Sequence, residues 1–148
     1  MENVRIYEMA DCKMASSQCG MFGDGKLEKF MEWVDSFPRP MFPKTFLKFD
    51  SEHNGFVFYY LCEDGIVIPD DFDIVDFPGG LYAIATDVDG QDDQTARNAI
   101  KDFINKTGCF EEDTSREMMG NIITPPSAFE AMGYNQMDYY TPIRIIEK

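Results

Sequence analysis

The chain has 148 residues, which is the length of one domain or of two small repeats. Hydrophobic residues make up 44% of it, a proportion that excludes a disordered chain. Lys and Arg total 13 against 27 Asp and Glu, so the formal net charge is −14. Nucleic acids and anionic membranes attract clustered positive charge, and we therefore expect neither as a direct partner.

The N-terminus carries neither the basic nor the apolar region of a signal peptide, and no stretch approaches the roughly 18 apolar residues of a membrane span. The four cysteines lack the spacing of a zinc or redox motif. We therefore predict a cytoplasmic protein with reduced thiols, no metal and no cofactor. The single histidine, His53, excludes a three-histidine zinc site, and its position in a predicted turn disfavours a nucleophile–His–acid triad.

The first half of the chain predicts a strand, a helix and two further strands. Partial alternation of apolar residues favours the strands, and an apolar stripe at i, i+3, i+4 and i+7 favours the helix. Pro38 ends that helix, and Asn54-Gly55 favours a hairpin turn between the last two strands. The predicted ranges are 4–18, 26–37, 44–50 and 55–63.

The second half repeats this order. A strand over 73–86, interrupted at Pro78-Gly79-Gly80, leads through a polar loop over 87–93 to a second apolar stripe of helical spacing. Gly108 is the predicted end of this helix. The last predicted segments are a long loop over 109–126 and a final pair of strands over 127–132 and 137–146.

The two halves are predicted to be copies of one unit, with two unrelated units as the alternative. Met14-Ala15 lies 68 residues before Tyr82-Ala83, and the helical stripe that begins at Leu27 lies 69 residues before the one that begins at Ala96. We predict one α+β domain of duplicated β-α-β-β units, about 1–68 and 69–148. Antiparallel sheets would have helices on one side and a cleft at the pseudo-two-fold seam, a usual place for a ligand.

Two short motifs resemble a known family. Residues 77–84, Phe-Pro-Gly-Gly-Leu-Tyr-Ala-Ile, fit an apolar-Pro-x-Gly-x-Tyr-Ala pattern, and Asp138, Tyr140, Pro142 and Ile143 fit an acidic-x-Tyr-x-Pro-apolar pattern. With the predicted duplication, these motifs make the whole chain similar to the GyrI-like (gyrase-inhibitor-like) small-molecule-binding family, which includes effector-binding domains of AraC-type and MerR-type regulators. Asp138 stands where that family more often has Glu.

The resemblance implies an aromatic pocket with a carboxylate, suited to a lipophilic cation. Aromatic faces attract cations, and a partly buried acid supplies the neutralising charge. Two tyrosines and one acid follow from the motifs, three aromatics are neighbours on predicted strands, and one acid stands amid apolar residues. Trp33 lies at the edge of the first helical stripe, where a helix-flank anchor is the alternative. The predicted ligand-binding residues are Trp33, Tyr59, Tyr60, Tyr82, Phe129, Glu130, Asp138 and Tyr140.

The predicted function is stand-alone binding of a hydrophobic or cationic small molecule, with no catalytic residue assigned. Two alternatives follow from the resemblance. One is a hydrolase of strained small molecules, in which Glu130 or Asp138 would polarise water. The other is an acidic protein that mimics DNA and binds gyrase or a regulator as its protein partner.

Overall fold

The computed structural model describes residues 3–38, 40–63, 65–88 and 94–147. Within these residues it has nine strands and three helices. In chain order they are β1 (Arg5–Met9), β2 (Cys12–Ser16), α1 (Lys26–Asp35), β3 (Thr45–Asp50), β4 (Gly55–Leu61), β5 (Asp73–Phe77), β6 (Gly80–Val88), α2 (Gln94–Thr107), β7 (Phe110–Glu112), β8 (Met119–Ile122), α3 (Pro126–Met132) and β9 (Gln136–Ile145). None of the described helices is both long and apolar enough to cross a membrane.

The chain divides into two compact units. The internal unit comprises Asp11–Phe77, and the terminal unit comprises Met1–Ala10 together with Pro78–Lys148. Strands pair antiparallel in both units, which confirms the α+β class. The duplication, the repeat boundaries and the cleft remain predictions.

In the internal unit the strand order is β3-β4-β2-β5. Both β2 and β3 pair antiparallel with β4, so they run parallel to each other and are connected through α1. Helix α1 buries Leu27, Phe30 and Val34, three members of the predicted apolar stripe. The predicted strand over 4–18 is in fact two strands, β1 and β2, and they belong to different units.

The turn between β3 and β4 fixes the only histidine of the chain. Asn54 adopts a left-handed φ of 51°, which Asn tolerates in such turns. The Asp50 carboxylate accepts hydrogen bonds from the backbone N–H groups of Glu52 and His53, and His53 Nδ1 lies 2.9 Å from Asp50 Oδ2. This contact makes the protonation of His53 depend on Asp50.

We expect the pKa of His53 to lie above its ordinary value, because the hydrogen bond and the charge of Asp50 favour the imidazolium form. The resulting stabilisation is present below the unfolded pKa and is lost as pH rises through the folded pKa. An NMR titration of the single histidine ring reads this pKa directly. In Asp50→Asn the pKa should return toward about 6.5, and an unchanged value would exclude Asp50 as the cause.

In the terminal unit the strand order is β1-β6-β9-β8, and β7 also pairs with β9. Both β6 and β8 pair antiparallel with β9, so they too run parallel to each other, with α2 following β6. This is the same order as in the internal unit, with β6, β9, β8 and β1 in the places of β2, β4, β3 and β5. A repeated unit predicts such an agreement.

The segment between α2 and β9 differs from its prediction. Gly108 ends α2 with a φ of 67°, as predicted, but the expected long loop over 109–126 contains β7 and β8. The expected strand over 127–132 is wrong, because these residues belong to α3. Pro126 lies in the first helical turn, where its fixed φ suits a helix start. Strand β9 confirms the prediction over 137–146, whereas the predicted polar loop lies mostly in residues 89–93, outside the described residues.

Candidate functional site

Polar and aromatic side chains share one face of the sheet in the terminal unit. Thr86 of β6 is the register partner of Asp138 in β9, and Asn121 of β8 is the partner of Asp138 on its other side. Strand alternation places Tyr82 and Tyr140 on this same face. We call it the Asp138 face, defined by Tyr82, Thr86, Asn121, Asp138 and Tyr140.

Helix α2 packs on the opposite face of these strands. Arg97 of α2 lies with its guanidinium carbon 5.5 Å from the ring centroid of Tyr139, whose side chain points away from that of Asp138. Ala83 and Ala85 of β6 are buried on the α2 side, where their small size allows a helix to approach. The Asp138 face is therefore the face that α2 leaves uncovered.

The Asp138 carboxylate is buried and paired. The residue is 5% exposed, and its Oδ1 accepts hydrogen bonds from Thr86 Oγ1 at 2.6 Å and from Arg5 Nη2 at 2.7 Å. Arg5 belongs to β1, at the edge of this strand order, and its Nη1 donates to the hydroxyl of Tyr7 at 2.9 Å. Among the residues that the structure describes, the cation paired with this buried anion is the half-exposed Arg5.

Three tyrosine rings lie on the same face of the sheet as this ion pair. The ring centroid of Tyr140 lies 5.7 Å from that of Tyr82 and 6.4 Å from that of Tyr7, both in edge-to-face geometry. Burial and the nearby charge of Asp138 raise the pKa of Tyr140. Its phenol therefore stays neutral in ordinary buffers and can donate a hydrogen bond, but it does not provide a phenolate base.

A second arginine covers the Tyr82 ring. The Arg116 guanidinium carbon lies 4.8 Å from the Tyr82 ring centroid, within the range of a cation–π contact. The same guanidinium donates to the backbone oxygens of Leu81 at 3.0 Å and Ile143 at 2.7 Å. Gly80 has a φ of 137°, and a Cβ built there would lie 2.6 Å from Arg116 Nη1. The absence of a side chain at Gly80, the glycine of the Pro-x-Gly motif, therefore leaves the space that the Arg116 guanidinium occupies.

The internal unit places its three predicted site residues on two faces of β4. Trp33 and Tyr60 lie together, with ring centroids 5.9 Å apart, and Trp33 also contacts Phe30 and Phe72 in the cluster beneath α1. This geometry fits the helix-anchor interpretation of Trp33. The Tyr59 side chain points to the other face, and Lys48 Nζ lies 5.8 Å from its ring centroid.

Phe129 and Glu130 are not strand residues. Both lie on α3, every residue of which is at least partly exposed, and Phe129 itself is 44% exposed. The interpretation of Phe129 as a strand neighbour of the other aromatics is therefore wrong. Glu130 lacks the buried setting that its apolar neighbours in the sequence indicated. Asp138 is the predicted acid that lies buried among aromatic rings.

Sequence reasoning did not identify Arg5, Tyr7, Thr86, Asn121 or Arg116. Alternation along β1 places Arg5 and Tyr7 on one face, which is a usable signal, but their partner strand β6 begins about 70 residues later. No local pattern marks Arg116. Long-range register brings these side chains to the Asp138 face.

Among the described residues, one group of side chains has the spacing of metal ligands. The candidate atoms of Asp50, Glu52 and His53 lie within 4.8 Å of one another. Glu52 and His53 are exposed, and His53 Nδ1 already contacts Asp50. Exposed acidic turns commonly have this spacing without an ion, so we assign no metal to it.

Comparison with known proteins shows the fold of the chain. No protein-family model and no curated protein sequence matches it. A crystal structure of a hydrolase from Listeria innocua superposes with a TM-score of 0.71 at 9% identity, covering 97% of this chain and 92% of that one. SAV2435 bound to tetraphenylphosphonium superposes with a TM-score of 0.54 at 8% identity, covering 96% and 94%.

The EcmrR protein in its complex with DNA superposes with a TM-score of 0.66 at 11% identity over 97% of this chain. The chain spans only 58% of the length of EcmrR in that complex. At such identities these likenesses establish the fold alone. This fold agrees with the effector-binding domain that the sequence motifs imply, while membership in the GyrI-like family remains a prediction.

Proposed function

We propose that this protein binds a hydrophobic small molecule, with a preference for lipophilic cations, at the Asp138 face of the terminal unit. The observation that carries the proposal is the buried Asp138 carboxylate on the same sheet face as the contacting rings of Tyr7, Tyr82 and Tyr140. The fold shared with SAV2435, which was solved with tetraphenylphosphonium, supports the choice of ligand class.

The physics of this face favours a cation. Removing a carboxylate from water is costly unless a positive charge compensates it, so buried Asp138 requires a positive partner, which is either Arg5 or a ligand cation that carries little hydration of its own. Each aromatic face adds roughly 0.5–2 kcal/mol, depending on how far the cation is desolvated. A lipophilic cation satisfies both requirements, because its apolar groups contact the rings while its charge faces Asp138.

Hydrolysis is the less favoured alternative, although one neighbour in fold is described as a hydrolase. A general base needs an accessible lone pair, and its pKa must lie near the pH at which it works. The Asp138 side chain is only 7% exposed, so little of its carboxylate reaches the water that it would have to activate, and the raised pKa of Tyr140 keeps its phenol protonated. The geometry therefore supports binding better than turnover.

Tetraphenylphosphonium and tetraphenylborate provide a direct test, because they have the same shape and opposite charge. We expect isothermal titration calorimetry to show binding of the cation and much weaker binding of the anion. Asp138→Asn should weaken cation binding about tenfold or more, since hydrogen-bonded charges contribute roughly 1.5–3 kcal/mol. The side chain keeps its size, so the change isolates the charge.

Glu130→Gln is the matched control for this experiment. It removes one negative charge from an exposed position on α3, and we expect unchanged affinity. Equal binding of the two ions, or an Asp138→Asn variant that binds as tightly as the parent, would contradict the proposal. Quenching of Trp33, the only tryptophan, would separately test its predicted role in ligand binding.

A further inference from the structure

A cationic ligand at the Asp138 face would compete with Arg5, a cation of the protein itself, for the Asp138 carboxylate. Arg5 Nη2 lies 2.7 Å from Asp138 Oδ1 and 3.1 Å from Thr86 Oγ1. The guanidinium thus holds a hydrogen-bonding position on Asp138 Oδ1 for which a ligand cation would compete. The ion pair as a whole is neutral, so Asp138 presents little net charge while Arg5 is in place.

The two partners differ in their access to solvent. The side chain of Arg5 is 40% exposed, whereas that of Asp138 is 7% exposed. Arg5 extends from β1, the edge strand of the terminal unit, on a long side chain with several rotatable bonds. It can leave Asp138 by rotation of this side chain without disturbing the pairing of β1 with β6, whereas Asp138 is held in the interior of the strand order.

Arg5 also has a second partner that does not depend on Asp138. Its Nη1 donates to the Tyr7 hydroxyl at 2.9 Å, and its guanidinium carbon lies 5.4 Å from the Tyr7 ring centroid. After displacement the guanidinium can keep these contacts and regain water. The cost of moving it is therefore smaller than the cost of leaving Asp138 unpaired.

We propose that Arg5 is an internal counter-ion of the Asp138 face, which a cationic ligand displaces, and that this competition sets the affinity and the charge selectivity of the site. The inference rests on the proposed function. A ligand must displace Arg5 from Asp138 before it can pair with Asp138 itself, so cations that bind weakly or hold their hydration water are rejected. Neutral ligands gain nothing from the displacement and meet an occupied carboxylate.

The test compares Arg5→Met with the parent protein, using tetraphenylphosphonium and tetraphenylborate as probes. Methionine keeps an unbranched apolar side chain and removes the charge. We expect Arg5→Met to bind the cation about tenfold more tightly or better, because one charged hydrogen bond no longer competes. Binding of the anion should weaken or stay undetectable, so that the ratio of the two affinities rises.

Lys13→Met is the matched control. It changes the net charge by the same amount and breaks an ion pair with Asp76 that also measures 2.7 Å, but Lys13 and Asp76 are both exposed and belong to the internal unit. We expect no change in either affinity. Arg5→Lys, which keeps a charge but loses the planar fork, should fall between the parent and Arg5→Met. This second variant keeps the test decisive if Arg5→Met folds poorly.

The outcomes separate the two proposals. If Asp138→Asn weakens cation binding but Arg5→Met and Arg5→Lys bind as the parent or more weakly, the counter-ion inference is overturned and the proposed function stands. If the parent binds the cation and Arg5→Met binds it about tenfold more tightly while Lys13→Met binds as the parent, the inference is supported. If the cation binds to neither the parent nor any variant, the proposed function fails and the inference fails with it.

Discussion

Replacing Phe30 with alanine is expected to lower the free energy of unfolding by about 3–5 kcal/mol, the usual cost of deleting a buried aromatic ring. Phe30 is fully buried in α1. Its ring centroid lies 4.9 Å from that of Phe72, 5.6 Å from that of Trp33 and 6.3 Å from that of Phe58. These neighbours are large and already packed against one another, so they cannot collapse into the space that the ring leaves.

Urea unfolding followed by circular dichroism measures this loss, and Phe42→Ala is its control. Phe42 is 71% exposed, so removal of the same ring should change the unfolding free energy by less than about 0.5 kcal/mol. The difference between the two variants isolates burial. A loss below about 1 kcal/mol for Phe30→Ala would mean that α1 is not anchored through this ring.

Local periodicity made α1 predictable. The stripe that defines the helix in the sequence also supplies its buried side chains, Leu27, Phe30 and Val34, because helical spacing and burial on one face are the same geometric fact. Strand β4 was predictable for a similar reason. Its apolar residues occupy both faces, and the structure buries or half-buries all of them.

Strands β7 and β8 were not predictable in the same way. Phe110–Glu112 and Met119–Ile122 are too short and too polar to show alternation, and each is a strand because it pairs with β9. The helix α3 was missed because seven residues contain too little periodicity to outweigh an apolar run. Its start at Pro126 depends on proline geometry, which is a local signal, but one that is also typical of turns.

The candidate site shows the same division. Tyr82, Asp138 and Tyr140 follow from two short motifs, and strand register brings them together. The two arginines that complete the site could not be predicted, because Arg5 meets an acid 133 positions away and Arg116 meets the β6 backbone. Aromatic content gave no guide to role, since Trp33 and Tyr60 pack with other rings beneath α1.

Arg116→Met is expected to lower the free energy of unfolding by about 1.5–3 kcal/mol, the usual contribution of a hydrogen bond from a charged group. The Arg116 side chain is 9% exposed, and its Nε donates to Asp113 Oδ2 at 3.0 Å. Loss of the guanidinium leaves the backbone oxygens of Leu81 and Ile143 without this donor, and also removes the contact with the Tyr82 ring. Methionine keeps the apolar contacts of the stem, so the loss reports the charged head.

Arg144→Met is the control, because the ion pair of Arg144 with Glu111 is exposed on both sides and should contribute at most about 1 kcal/mol.

The pH dependence of unfolding provides a second measurement. Hydrogen bonds from Ser115 and Arg116 lower the pKa of Asp113 to about 2. Its contribution to stability is therefore present above the unfolded pKa of about 3.9 and is lost as pH falls toward 2. Arg116→Met should flatten this acid-dependent loss, whereas Arg144→Met should leave it unchanged. If both variants lost stability equally as the pH falls, Arg116 would contribute through the net charge of the protein rather than through its bonds to Asp113 and to the backbones of β6 and β9.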